Sequence, residues 1–259
     1  MIERRELHFF SDCLQRDMTV LIHGHAGVPF IFFPCQDSMH GNFEEFGMVE
    51  TISDYLESGK ICVFSVDTVD RESWSDKPGD PDKRIEIQEQ YFRYVTTELI
   101  PWMYEVFHIK AKPFAMGFSL GATHAAIDYF RRPDLFGGML ALAGVLDAYP
   151  SFGYSTNPLV YENSPISFLS NLPDDHPYHE LYAQGRIIIS VGQGRWNEGG
   201  IRDIRRIRKI FDEKGIAGWT DLWGYDVDHD WPWWKKQIRY FLPFLLGEKP
   251  FPEVFGVCG

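Results

Sequence analysis

Short apolar runs alternate along most of this chain with segments whose apolar residues recur every three or four positions. The runs are typical of buried strands and the spaced segments of helices facing a core. Strands alternating with helices predict an α/β fold, a mostly parallel sheet covered by helices on both faces. The predicted strands are 4–10, 17–23, 28–33, 61–66, 112–118, 138–145, 186–191 and 219–223, and the predicted helices are 48–57, 81–107, 120–131, 200–214 and 233–246. Pro101 interrupts helix 81–107 and either kinks it or begins a new helix.

Two segments depart from this alternation. The first two strands follow each other without a helix and predict an antiparallel N-terminal hairpin, and the tetrad Gly24–Gly27 predicts a further hairpin turn into strand 28–33. Residues 146–185 are rich in Pro, Ser, Asn and Tyr and are too long for a simple connection. We expect an irregular lid or insert there, within a single domain spanning residues 1–259.

Composition and charge disfavour several classes of partner and function. The 259 residues carry a net charge of −12 at pH 7, which disfavours nucleic acid and anionic membrane surfaces as partners. No apolar run approaches the length of a membrane span, and the N-terminus lacks the apolar centre of a signal peptide. Cysteines at positions 13, 35, 62 and 258 show no metal-ligand spacing and indicate reduced thiols. We expect a cytoplasmic protein without metal or cofactor.

The candidate chemistry begins at a Gly-x-Ser-x-Gly pattern, Gly117–Gly121, which lies between a predicted strand and a predicted helix. A sharp strand-to-helix turn of this kind, a nucleophile elbow, projects a serine oxygen to where a base can take its proton. Glycines flank the serine because a Cβ at either place would crowd the turn. The pattern predicts Ser119 as a nucleophile.

A general base is expected late in the chain, on a loop at the same edge of the sheet. His229 follows the last predicted strand and precedes the final helix, and a serine elbow, then an acid, then a late histidine is an order that favours a catalytic role for this histidine. His124 follows Ser119 on the predicted elbow helix, which would carry it away from the serine oxygen. We therefore predict His229 as the base and expect His124 to pack.

The acid that orients His229 should lie on the loop after strand 186–191. Glu198 is the one carboxylate on that loop and is the predicted acid, which would fix the His229 tautomer and stabilise the imidazolium. An exposed carboxylate at a helix start is the competing interpretation for Glu198. Asp226 and Asp228 are rival acids, although residues so near His229 in a short loop usually diverge from it.

Two backbone N–H groups are needed to stabilise the oxyanion. One is expected from Leu120, directly after the nucleophile, and the second from Gln36, on the loop after strand 28–33. Aromatic residues make up 16% of the chain, and several follow predicted strands or lie in the candidate lid. We predict that these aromatic side chains form an apolar acyl or aryl pocket and contact the substrate: Trp74, Trp196 and Tyr154.

With these residues placed, the chain resembles the putative-esterase branch of the α/β-hydrolase superfamily, which includes bacterial serine esterases and mycolyltransferase-like enzymes. The matching motifs are Gly117–Gly121, Asn163–Pro165 and His229–Trp234, the last reading His-Asp-Trp-Pro-Trp-Trp. The resemblance implies an α/β-hydrolase fold and ester hydrolysis through an acyl-serine intermediate, with Ser119 as nucleophile and His229 as base. Many relatives place an aspartate soon after the glycine that ends this strand, whereas Glu198 comes somewhat later here.

The sequence therefore predicts a serine carboxylic-ester hydrolase whose partner is a small-molecule ester with an acyl or aryl-acyl group. An acyltransferase using the same residues is the first alternative, because a bound alcohol could replace water. A non-catalytic binding protein of the same fold is the second. Assembly into a homo-oligomer stays open.

Overall fold

The structure, a computed structural model, describes residues 1–251. Its strands are β1 (Arg4–Ser11), β2 (Arg16–His23), β3 (Val28–Phe33), β4 (Ile61–Val66), β5 (Phe114–Phe118), β6 (Gly138–Leu142), β7 (Arg186–Val191) and β8 (Gly218–Leu222). Its helices are α1 (Asn42–Glu45), α2 (Met48–Thr51), α3 (Ser53–Glu57), α4 (Pro81–Arg93), α5 (Ile100–Phe107), α6 (Leu120–Arg131), α7 (Pro158–Glu162), α8 (Pro165–Ser170), α9 (Tyr178–Gln184), α10 (Glu198–Lys214) and α11 (Trp231–Leu245).

The strands form one sheet in the order β1-β2-β4-β3-β5-β6-β7-β8. The pairs β1–β2 and β2–β4 are antiparallel, and all other neighbours are parallel. The predicted α/β class and the antiparallel N-terminal hairpin are confirmed. Because the parallel strands end at one edge, the loops after β3, β5, β7 and β8 meet there, and this edge carries the candidate site.

The predicted hairpin turn at Gly24–Gly27 is wrong. β4 lies between β2 and β3, so the tetrad links two strands that are not neighbours. Gly24 and Gly27 both have positive φ, and a Cβ on Gly27 would overlap the backbone of Lys60, just before β4. The two glycines are therefore required for a connection that passes tightly over the start of β4.

Several element boundaries differ from the predicted ones. Helix 48–57 breaks at Ile52, whose φ of −120° and ψ of 26° are not helical. Pro101 begins a new helix, which was one of the two predicted alternatives: it lies in the first turn of α5, after a π-helical stretch, Tyr94–Leu99, that continues from α4. Proline lacks an N–H group and clashes with the carbonyl four residues earlier, and the wider π turn accommodates this. β6 ends at Leu142 because Ala143 has a φ of 59°.

The segment 146–185, predicted to be irregular, contains the three short helices α7, α8 and α9. Prolines occupy the first turn of α7 and α8, and Asn157 caps α7 by accepting a hydrogen bond from the N–H of Leu159 at 3.0 Å. These start signals are local and were present in the sequence. That segment 146–185 acts as a lid stays a prediction.

Two further observations concern the environment of the chain. Among residues 1–251, no helix combines the length and the apolar character that crossing a membrane requires. Cys13, Cys35 and Cys62 have free thiols, and only Cys62 is buried; Cys258 lies outside the described residues.

Helix α6 is the central helix of the fold, and every residue from Leu120 to Phe130 is buried. Asp128 is one of them. Neither oxygen of its carboxyl group has a hydrogen-bond partner within residues 1–251. Burial raises the pKa of Asp128 well above its usual range; Glu89 raises it further and Arg131 lowers it. A buried carboxyl of this kind favours the protonated form, so at neutral pH it costs stability.

This burial predicts a pH dependence of stability that Asp128→Asn should remove. Because the folded state holds the Asp128 proton to higher pH than the unfolded state, its contribution to stability falls as pH rises above the unfolded pKa. The slope is at most about 1.4 kcal/mol per pH unit. We expect Asp128→Asn to be more stable than wild type at pH 7, and the gap to shrink towards pH 4, as measured by urea unfolding. Asp175→Asn, at an exposed carboxyl, is the control; an equal effect there would contradict the account.

Candidate active site

Ser119 lies at the turn between β5 and α6, at the carboxyl edge of the sheet. Its φ of 54° and ψ of −126° are strained for a residue with a side chain. A Cβ on Gly117 would overlap the carbonyl of Gly121, and a Cβ on Gly121 would overlap the carbonyl of Phe33. The two glycines let the strand, the turn and the helix pack this closely. The Ser119 N–H donates to the Leu142 carbonyl at 2.9 Å, which ties the turn to β6.

His229 lies on the loop between β8 and α11, and its Nε2 is 2.8 Å from the Ser119 hydroxyl oxygen. The backbone N–H of His229 donates to the carbonyl of Arg195 at 3.1 Å, and the edge of its ring packs against Trp234 with ring centroids 5.0 Å apart. The structure thus brings together the predicted nucleophile and the predicted base, which are 110 positions apart in the sequence.

The other ring nitrogen of His229 faces an amide. Its Nδ1 is 3.2 Å from Oδ1 of Asn197, a residue that is only 1% exposed. The Asn197 side-chain nitrogen donates to the backbone carbonyl of Val227 at 3.0 Å. Sequence reasoning missed Asn197 because it considered only carboxylates on this loop.

The hydrogen bond predicted from Glu198 to His229 does not form. Glu198 is exposed and is the first residue of α10, and the partner of His229 Nδ1 is Asn197 instead. The rival Asp226 is exposed as well. Asp228 instead accepts hydrogen bonds from the backbone and the guanidinium of Arg195.

A cleft of about 180 Å³ opens beside the serine and the histidine. It is lined by residues from the loops after β3, β4, β5, β6 and β8: Gln36, Trp74, Lys77, Ser119, Leu120, Ala143, Val145, Ser151 and His229. Four of these, Lys77, Ala143, Val145 and Ser151, were not singled out in the sequence. Ala143 and Val145 lie at the end of predicted strand 138–145, Lys77 lies on the loop after strand 61–66, and Ser151 lies early in the candidate lid. Each of them had only a position at or beyond a strand end as a signal.

Of the three aromatic residues predicted to contact substrate, only Trp74 lines the cleft. Its indole N–H donates to Gln88 at 2.8 Å, which fixes the ring. Trp196 is 69% exposed beside the Arg195 guanidinium, and Tyr154 is 73% exposed. Neither lines the cleft. A position on a strand-end loop does not decide whether a side chain faces inward.

The two residues predicted to donate to the oxyanion both line the cleft that contains Ser119. Leu120 opens α6, and Gln36 lies on the loop after β3, where its side chain donates to Ser75 at 2.8 Å. The N–H groups of the residues before and after Gln36 are engaged, whereas within residues 1–251 those of Gln36 and Leu120 have no acceptor. Both remain available to a ligand.

Two buried carboxyl groups, those of Asp67 and Asp70, support the loop that carries Gln36. Asp70 accepts from the N–H of Asp37 at 3.3 Å and lies 2.8 Å from Nε2 of His124. Asp67 lies 2.6 Å from Nδ1 of His40, on the same loop. His124 is fully buried, in keeping with its expected packing role.

Burial also sets the electrostatics of His229. Loss of solvent lowers its pKa from the usual 6.5, and the nearby Asp230 carboxylate partly opposes this. The neutral imidazole is therefore favoured at neutral pH. A neutral ring with one nitrogen at a serine hydroxyl can accept a proton from it.

A comparison with models of known protein families identifies the family of this chain. The model of the family described as "Putative esterase" matches residues 11–245. The chain belongs to this family. A search of curated proteins found no match. Membership in an esterase family supports ester hydrolysis as the activity.

Solved structures similar to this family member share its fold. A ferulic acid esterase is 15% identical, with a TM-score of 0.74 over 95% of this chain and 98% of the other. S-formylglutathione hydrolase from Agrobacterium tumefaciens is 16% identical, with a TM-score of 0.74 over 94% of each chain. MPT51 from Mycobacterium tuberculosis is 14% identical, with a TM-score of 0.67 over 95% and 98%. The fold is that of the α/β hydrolases, as the resemblance implied.

The opposing effects of burial and Asp230 on His229 predict the outcome of Asp230→Asn. Asp230 also caps α11 by accepting from the N–H of Trp231 at 2.7 Å, and asparagine caps a helix equally well. The substitution therefore removes the charge and keeps the cap. We expect the His229 pKa, followed by NMR titration, to fall below its wild-type value. Asp226→Asn, at an exposed carboxyl, is the control; a rise in the His229 pKa in Asp230→Asn would contradict this electrostatic account.

Proposed function

We propose that this protein is a serine esterase that hydrolyses small acyl or aryl-acyl esters, with Ser119 as nucleophile and His229 as general base. The observation that carries the proposal is the 2.8 Å contact between His229 Nε2 and the Ser119 oxygen, at the floor of a cleft. The turn that holds Ser119 at positive φ has the features of a nucleophile elbow.

The proposed reaction has two halves. In the first, His229 Nε2 takes the Ser119 proton as the serine oxygen attacks the ester carbonyl, and the carbonyl oxygen becomes an oxyanion held by the N–H groups of Leu120 and Gln36. The C–O bond to the alcohol then breaks, the imidazolium gives its proton to the departing oxygen, and an acyl-serine remains. In the second half, water attacks the acyl-serine, His229 takes a proton from it, and Ser119 leaves with that proton.

The size and lining of the cleft support a small acyl group. A volume of about 180 Å³ is below the usual range of roughly 300–1,000 Å³ for small-molecule pockets. Trp74, Leu120, Ala143 and Val145 supply an apolar wall suited to a short aliphatic chain or one aromatic ring.

Transfer of the acyl group to an alcohol shares every step up to the acyl-serine. The two activities separate in the products, since transfer yields rise with the concentration of an added alcohol whereas hydrolysis yields do not. We expect free acid as the main product from an aryl acetate, measured by product chromatography over a series of alcohol concentrations. An alkyl ester as the main product at low alcohol concentration would favour the acyltransferase.

Ser119→Ala tests the nucleophile. We expect it to abolish covalent labelling by a fluorophosphonate and to lower kcat for an aryl acetate by at least about a thousandfold, because no oxygen remains to form the acyl intermediate. Ser170→Ala is the matched control, since Ser170 is exposed at the end of α8 and bonds only to its own segment. Labelling that persists in Ser119→Ala would show that Ser119 is not the nucleophile. A wild-type protein that neither reacts with the fluorophosphonate nor hydrolyses esters would favour the non-catalytic binding protein.

The lowered pKa of His229 predicts the pH dependence of turnover. The base works only when neutral, so kcat/KM rises with pH through the His229 pKa of the free enzyme. Because burial lowers that pKa, we expect half-maximal kcat/KM for a neutral ester below pH 6.5. A midpoint above pH 7 would contradict the proposed environment of the base.

A further inference from the structure

We infer that Asn197 is the positioning residue of His229, doing with a neutral amide what a carboxylate does in most serine hydrolases, and that the Val227 carbonyl fixes the direction of that amide. The inference deepens the proposed function and rests on it. It concerns how the base is prepared, since Asn197 contacts the histidine and not the substrate.

The direction of the Asn197 amide follows from its second partner. A backbone carbonyl can only accept hydrogen bonds, so the 3.0 Å contact with the Val227 oxygen requires the Asn197 NH₂ group on that side. The oxygen Oδ1 must then face His229. Because Asn197 is buried, a flipped amide would set its oxygen against the Val227 carbonyl oxygen, two acceptors in contact with no donor between them.

This direction selects the tautomer of His229. Asn197 Oδ1 can only accept, so Nδ1 of the neutral ring carries the hydrogen and Nε2 presents its lone pair to the Ser119 hydroxyl. That is the tautomer a general base needs. Where an amide in this position turns its NH₂ group to the ring instead, the wrong tautomer costs about ten-thousandfold in kcat. In this chain the Val227 carbonyl prevents that arrangement.

The charged groups near His229 have other contacts or positions. Asp230 caps α11, and Asp228 is held by Arg195 on the loop between β7 and α10. Glu198 is exposed at the start of α10, and Lys77 lines the cleft. Within residues 1–251, no carboxylate makes a hydrogen bond to either ring nitrogen of His229. Asn197 is therefore its partner at Nδ1.

A neutral partner at Nδ1 gives the base, His229, a different pKa from the one that a charged partner would give. An amide orients the ring but adds no negative charge to stabilise the imidazolium, so the base titrates at lower pH than it would beside a carboxylate. Asn197→Asp replaces the NH₂ group by oxygen at almost unchanged shape. It adds the charge and removes the donor to Val227.

Nitrogen-15 NMR of His229 and kinetics test the inference together. In the wild type we expect neutral His229 to carry its hydrogen on Nδ1. In Asn197→Asp we expect the His229 pKa, and with it the acid limb of kcat/KM, to rise by about one unit or more. Asn197→Ala should lower kcat at least about tenfold with KM little changed, because the ring loses its orientation. Glu198→Gln is the matched control and should stay within about twofold of wild type.

The outcomes separate the inference from the proposed function. A hydrogen on Nε2 of His229 in the wild type overturns the role of Asn197, as does a large loss of kcat in Glu198→Gln with none in Asn197→Ala. The NMR measurements need no turnover, so an inactive wild type with the Nδ1 hydrogen refutes the proposed esterase and leaves the tautomer assignment standing. If circular dichroism shows Asn197→Asp to be unfolded, the wild-type tautomer and Asn197→Ala decide.

Discussion

The candidate site depends on one steric constraint, the absence of room for a Cβ at Gly117 and Gly121. Helix α6 begins so close to β5 and β3 that either Cβ would overlap a backbone carbonyl. This closeness forces Ser119 to positive φ. It also directs α6 into the centre of the fold, where every residue from Leu120 to Phe130 is buried. Strain at one residue is sustained because the packing of a whole helix enforces it.

A second layer of buried polar groups holds the loops that surround Ser119. Asp67 and Asp70, from the end of β4, fasten the loop after β3 through His40 and the backbone of Asp37, and Asn42 accepts from the N–H of Cys35. Burying carboxylates is costly unless each is hydrogen-bonded, and here they are. These hydrogen bonds hold the backbone of the loop after β3 in place.

The parts of the site that the sequence predicted are those with local signals. Gly117 and Gly121 mark a turn through steric need, and His229 follows a recognisable strand. Asn197 carries no such signal, because its role arises from a backbone carbonyl 30 positions away and not from its charge. Glu198 has the expected carboxylate but comes one residue after Asn197, at an exposed position that opens α10. Likewise, the sequence could not show that β4 separates β2 from β3, since strand order depends on tertiary pairing.

In the proposed reaction Ser119 carries the acyl group while His229, oriented by Asn197, moves the proton. Rapid quenching of an aryl ester reaction, followed by mass spectrometry of the digested protein, tests this proposal. We expect a transient acyl group on the peptide containing Ser119, formed within the first turnover and lost as product appears. Turnover with no acylated peptide, or with the acyl group on another residue, would contradict it.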